Sequence, residues 1–279
     1  MKRIFNGFLA FLLCLPAFGQ AKTKTRLFFS TDMARPGETI WAGFEMKMPP
    51  HWHTYWRHSG DAGLATTVTW TLPSGVSAGD IAWPLPTKTL LKAGGISLCT
   101  YIYEDRVVLL VPLKLGAGVK PGSLKLRASL DWLECADAGG CVPGKAELSW
   151  KVTVGDKDKS SKDAALIEQW RNRLPQTDAT ASATARWETI GGSDTRTIII
   201  DWKTANRRAD FYPYEHQPSD IEGPTELLSA PPGHLRLRKV VRKYEGQWPD
   251  TLVGLLVPQS DSTSSAATEA HLPILAPED

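Results

Sequence analysis

Between residues 23 and 154 apolar side chains return at every second position. A period of two is the mark of a β-strand with one face buried. Ile40, Ala42, Phe44, Met46 and Met48 alternate with Trp41, Gly43, Glu45 and Lys47, and Leu64, Thr66, Val68, Trp70 and Leu72 alternate with small polar residues. Leu124, Leu126, Ala128, Leu130 and Trp132 alternate with Lys125, Arg127, Ser129 and Asp131, and the pattern recurs at Ala146, Leu148, Trp150, Val152 and Val154. Val107 to Leu115 is more continuously apolar. Turn residues separate the runs at Pro36-Gly37, Pro73-Ser74-Gly75, Pro121-Gly122 and Pro143-Gly144. Regular strands and turns without a long helix predict an all-β chain with an immunoglobulin-like β-sandwich over residues 22–155.

Residues 156–164 are charged and lack apolar anchors, so they read as a linker. Leu166, Ile167, Trp170 and Leu174 then have helical spacing, ended by Pro175. Strand-like runs resume at Ala185 to Ile190, Thr195 to Trp202, Ala209 to Tyr214, His234 to Val241 and Leu252 to Val257. They predict a second, smaller β-rich domain over 165–259. The Ser/Thr/Ala-rich stretch that opens 260–279 reads as a disordered tail.

Residues 1–21 have the layout of a secretory signal peptide: Lys2 and Arg3, an apolar run from Gly7 to Leu15, then small residues around Gly19. Leu12 and Leu13 argue against lipoprotein processing at Cys14. No later run is long enough to span a bilayer, so a periplasmic protein without direct membrane insertion is expected. About 255 residues remain, enough for two cores. A formal charge of +2 with scattered Lys and Arg offers no basic face for nucleic acid.

Export leaves Cys99, Cys135 and Cys141, an odd number that predicts one pair and one leftover thiol. Cys135 and Cys141 flank Ala136-Asp137-Ala138-Gly139-Gly140, between the two most clearly alternating runs. If those runs pair antiparallel, the cysteines are near-opposite, with Cα atoms roughly 4.5–5.5 Å apart, which a disulfide accepts. So short a loop is a modest staple, worth about 2.4 kcal/mol against about 4.7 for a hundred-residue loop. A hairpin tip also lets a partner's thiolate reach a sulfur. Asp137 and Glu134 nearby would raise a thiol pKa, so a passive relay is expected.

Cys-Ala-Asp-Ala-Gly-Gly-Cys-Val-Pro (135–143) resembles the active-site segment of the amino-terminal periplasmic domain of the thiol:disulfide interchange protein DsbD, and Tyr101-Ile102-Tyr103-Glu104-Asp105-Arg106-Val107 resembles a strand of that domain. His51-Trp52-His53-Thr54-Tyr55-Trp56-Arg57 and Ile81-Ala82-Trp83-Pro84-Leu85-Pro86 are closer to the ScsB, suppressor-of-copper-sensitivity, branch. The resemblance covers about residues 25–155. It implies an immunoglobulin-like domain whose Cys135/Cys141 pair is catalytic and needs no cofactor beyond the disulfide itself. The implied partners are thioredoxin-like periplasmic proteins and a membrane-embedded DsbD/CcdA-type electron donor. It also implies that Cys141 attacks and Cys135 resolves, and that a cap at about Pro84 to Ile96, hinged at Gly94-Gly95, covers the sulfurs with Leu90 and Leu91. His53, Tyr55, Tyr101, Tyr103 and Asp137 are the expected site-lining residues.

Four other readings compete. Cys99 is either a buried small hydrophobe or a third reactive thiol. Met46, Met48, His51 and His53 offer soft and imidazole donors that suit copper, although the methionines also continue a core face. A scaffold module with a structural disulfide remains, and the 11 tryptophans would allow sugar stacking were they not mostly on buried strand positions.

Overall fold

The computed structural model describes residues 21–93, 96–177, 182–188, 194–216, 219–259 and 266–277. The first unit starts with β1 (Lys24–Phe29), β2 (Thr31–Ala34), β3 (Thr39–Lys47), β4 (Trp52–Gly60), β5 (Thr67–Thr71) and β6 (Val76–Ala78). It continues through β7 (Thr87–Ala93), β8 (Ile96–Glu104), β9 (Arg106–Leu115), β10 (Gly122–Ala136), β11 (Cys141–Val154) and β12 (Lys159–Ser160). One sheet runs β1-β3-β9-β6. The other runs β12-β2-β11-β10-β4-β8-β7, with β5 alongside β10.

The alternation read from the sequence becomes the inside of this sandwich. Leu126, Ala128, Leu130 and Trp132 of β10 meet Ile40, Ala42, Phe44 and Met46 of β3 in one buried core. Val107–Val111 is buried without alternation because both faces of β9 are covered, one by the sandwich core and the other by the helix Ala164–Arg171. Trp70 and Trp150 pack against the same core, as expected.

The charged stretch 156–164 does not behave as a free linker. β12 pairs with β2, the Ser161 amide bonds the Ser30 carbonyl at 3.1 Å, and Arg26 reaches Asp163 at 3.1 Å. Its anchors are backbone and charge, which an apolar count does not see. The following helix, α1 (Ala164–Arg171), buries Ile167 and Trp170 in the first core rather than opening the second unit.

The second unit comprises β13 (Gln176–Thr177), β14 (Ala183–Trp187), β15 (Thr195–Lys203), β16 (Ala209–Pro213) and β17 (Ser219–Ile221). β18 (Glu226–Leu228), β19 (His234–Lys243), β20 (Thr251–Pro258) and β21 (Thr268–Leu275) complete it. The path β16-β20-β21-β14-β15-β19-β17 encloses a separate core built on Ile198, Ile200, Phe211, Leu237 and Leu252. β21 corrects the expectation of a disordered tail. It pairs with β20 and β14, and Ala270 and Leu272 are buried, so the apolar residues that follow the Ser/Thr/Ala-rich stretch form a paired strand. Residues 260–265 and 278–279, and 1–20 of the expected signal peptide, lie outside the described residues. Among the described residues no helix is long and apolar enough to cross a membrane.

Candidate functional site

β10 and β11 form the longest ladder of the first unit, and its last register pair is Cys135 opposite Cys141. Their Cα atoms are 4.1 Å apart and the sulfurs are bonded. Gly139 and Gly140 both have φ near +90°, which a side chain would resist, and they close the turn through Gly139 N–H to Ala136 O at 2.8 Å. The pair is asymmetric. Cys141 ends an outer turn and is exposed, whereas Cys135 is 4% exposed inside the sheet.

What covers Cys135 comes from three strands. Tyr55 of β4 and Ile102 of β8 form a small buried cluster with it, and Leu133 packs against them. Gly63 stands hard against Tyr55: a Cβ there would lie 2.2 Å from the ring, so the chain after β4 pins the phenol in place. Burial pushes the Tyr55 hydroxyl pKa up.

His53 is the partner of Cys135 on its other side, so His53, Cys135 and Cys141 leave the sheet in one row on one face. The imidazole Nε2 is 3.3 Å from the Tyr55 hydroxyl and Nδ1 is 3.4 Å from Asp137 Oδ1. His51, at φ +65°, turns its carbonyl to accept from the Asp137 amide at 3.0 Å and brings its ring to 3.4 Å from the other carboxylate oxygen.

Glu134 does not face the sulfurs. It is fully buried on the opposite face and accepts from the Lys22 and Thr23 amides and from the Trp132 indole. Burial alone would raise its pKa, but these donors pull it below the usual carboxylate range. Glu134 thus points away from the sulfurs and holds the backbone of Lys22 and Thr23.

Residues 23–152 match the family described as "Thiol:disulfide interchange protein DsbD, N-terminal". This region resembles a DsbD amino-terminal domain. The crystal structure of the N-terminal periplasmic domain of ScsB from Proteus mirabilis superposes with a TM-score of 0.60 at 17% identity. It covers 94% of this chain and 96% of that one, so the shared fold includes the second unit. A protein of unknown function from Porphyromonas gingivalis W83 covers 91% of this chain and 100% of its own, but a TM-score of 0.26 at 12% identity carries no argument. No curated protein sequence matches the chain.

Within this region the described part of the cap expected at Pro84 to Ile96 is not a loop over the sulfurs. Thr87–Ala93 is the edge strand β7, paired with β8 so that Leu90 opposes Cys99 and Leu91 opposes Leu98. Leu90 and Leu91 are 52% and 62% exposed. Leu90 lines a cleft of about 530 Å³ shared with Tyr212 and Leu227 of the second unit. The reason is the second unit itself: Lys88 is drawn to Asp210 at 2.7 Å, with both side chains largely buried. Gly94 and Gly95, the expected hinge, lie outside the described residues.

Tyr101 and Tyr103 are also displaced from the site. Successive residues of a strand point to opposite faces, and Ile102 holds the site face. Tyr101 is buried against Trp56 and, 4.9 Å between ring centres, against Tyr212 of the second unit. Tyr103 donates to the Pro84 carbonyl at 2.6 Å.

Cys99 is a free, fully buried thiol beside Gly223, where an added Cβ would fall 2.2 Å from the sulfur. Burial raises its pKa against the pull of Lys88. The copper donors separate as well. Met46 and Met48 belong to the main core, the Met46 sulfur accepting from Thr66, while the His51 side chain is 84% exposed. Sequence reasoning missed Ile102, Leu133 and Gly63; the strand parity of Tyr55 against Ile102 was the available signal for the first.

Proposed function

We propose that this chain performs thiol-disulfide exchange in the periplasm, relaying electrons through Cys135/Cys141 from a thioredoxin-like or membrane-embedded DsbD/CcdA-type donor to oxidised exported proteins. The observation that carries the reading is the asymmetric pair: one cysteine exposed at a turn, its partner buried directly across the ladder. A donor thiolate attacks Cys141 Sγ, the bond to Cys135 breaks, and Cys135 leaves with the electron pair. A second donor thiol resolves the mixed disulfide and leaves both cysteines reduced. On an oxidised substrate the steps reverse, with Cys141 attacking and Cys135 resolving. No cofactor enters, because the electrons move in sulfur–sulfur bonds.

Trapping tests this directly. Cys135→Ser combined with Cys99→Ala leaves Cys141 alone and is expected to accumulate a covalent complex with a thioredoxin-like protein that dithiothreitol dissolves. Cys141→Ser combined with Cys99→Ala should trap far less, because Cys135 is covered. No complex from either variant, with a reduction potential below about −300 mV for the native pair, would identify a structural staple instead.

A further inference from the structure

The ring of His53 faces an oxygen at each nitrogen: the Tyr55 hydroxyl 3.3 Å from Nε2 and the Asp137 carboxylate 3.4 Å from Nδ1. A neutral imidazole has one N–H to place, and the doubly protonated ring has two. The phenol can donate or accept, so Tyr55 fits either form of the ring, and it is the Asp137 carboxylate that favours the cation. The ring is 14% exposed and Nδ1 makes no hydrogen bond in the disulfide-bonded state. Register partners of this kind hold their Cβ atoms about 4.5–5.5 Å apart, so the His53 side chain leaves the same face of the sheet as Cys135, on the neighbouring strand.

We propose that His53, held by Tyr55 and Asp137, carries the positive charge that stabilises the Cys135 thiolate when the disulfide opens. This rests on the exchange reading above and deepens it. When an incoming thiolate bonds to Cys141 Sγ, the electron pair of the broken bond and one negative charge pass to Cys135 Sγ. Cys135 is 4% exposed, where water solvates a thiolate poorly, so a neighbouring cation decides how well it leaves. In the return step the Cys135 thiolate attacks Cys141 Sγ and the partner's thiolate departs. Because the cation flanks Cys135 and not the outer sulfur, it favours attack at Cys141.

The charged and titratable groups that bear on His53 are few. Asp137 and His51 come from the two turns, Tyr55 from its own strand, and Glu104 is its register partner on β8. Asp137 is shared between the two histidines, and Glu134 faces the other way.

Two measurements on the full chain test the coupling. In the Cys99→Ala/Cys141→Ser background Cys135 is the sole remaining thiol of the mature chain, and its thiolate absorbance is followed against pH. His53→Gln is expected to lower the thiolate fraction near pH 6 about tenfold. The second measurement needs no substitution at the site: the NMR titration midpoint of His53 should rise when the native disulfide is reduced, because the coupling is reciprocal. Equal His53 midpoints in the oxidised and reduced protein, or an unmoved thiolate curve in a folded His53→Gln variant, would overturn the proposal. If the native protein exchanges with no thioredoxin-like thiol, the relay fails while the His53 coupling stays measurable. An unmoved midpoint in a protein that does exchange sinks only the role of His53.

Discussion

One sheet holds two cysteine environments, and they differ in what lies across the strand from each. Cys141 faces Cys135 at the end of a ladder, with only a glycine turn beyond it. Cys99 faces Leu90 within the sheet, its amide donates to Asp61 at 2.6 Å, and Gly223 of the second unit closes over its sulfur. The first arrangement leaves a sulfur in reach of a visiting thiolate, and the second removes one from all chemistry. Cover is what differs: Gly223 of the second unit supplies it at Cys99, while Tyr55, Ile102 and Leu133 supply it at Cys135.

The contrast predicts that damage at the domain interface lowers stability without touching the redox pair. Asp210→Ala has the largest expected effect, because it leaves Lys88 without its carboxylate and removes one that also bears on the buried Lys239. Breaking such a buried pair costs about 3–5 kcal/mol, read by urea unfolding. The reduction potential of Cys135/Cys141 should not move; if it does, the two regions are coupled and the contrast is broken.

Gly63→Val strikes the other region. With φ at +101° and Tyr55 in the way, it should cost about 2–3 kcal/mol and speed reduction of the disulfide by dithiothreitol as the phenol shifts. An unchanged reduction rate would mean that Tyr55 is not the cover.

A pH series sharpens the comparison further. Burial lowers the Lys239 pKa to about 7 while the unfolded chain keeps the ordinary value of 10.5. Between those values the unfolded state holds more protons, so this residue makes stability rise with pH across that window and fall as pH drops toward 7. Lys239→Met should flatten that rise in paired unfolding curves at pH 7 and pH 10. The smallest effect belongs to Cys99→Ala: a loss of about 1 kcal/mol and no change in exchange rate with a thioredoxin-like partner. A slowed rate would return Cys99 to the chemistry.

Local pattern was readable wherever the chain pairs with its own near neighbours. The alternation from Leu124 to Trp132 and from Ala146 to Val154 gave both strands of the hairpin, and with them the opposition of the cysteines. Parity was harder: a shift of one residue turns a strand over, and Tyr101 and Tyr103 rather than Ile102 looked like site residues until β4 fixed the phase of β8. Lys239 sits in register with Leu235, Leu237 and Val241 on a buried face, bonding the Gly223 carbonyl, a position no hydropathy pattern assigns to lysine.

Sequence pattern alone sufficed for β10, β11, the turn between them and the meeting of Cys135 with Cys141, because backbone geometry across a five-residue loop needs no distant help. Only the tertiary structure decided which sulfur is covered, that β7 joins the second unit instead of capping the site, and that Cys99 is sealed. Those outcomes depend on pairs such as Lys88 with Asp210, 122 residues apart, and Glu134 with Thr23, 111 apart. Contacts at that separation exist only after whole sheets have docked, and a residue's neighbours in sequence carry no record of them.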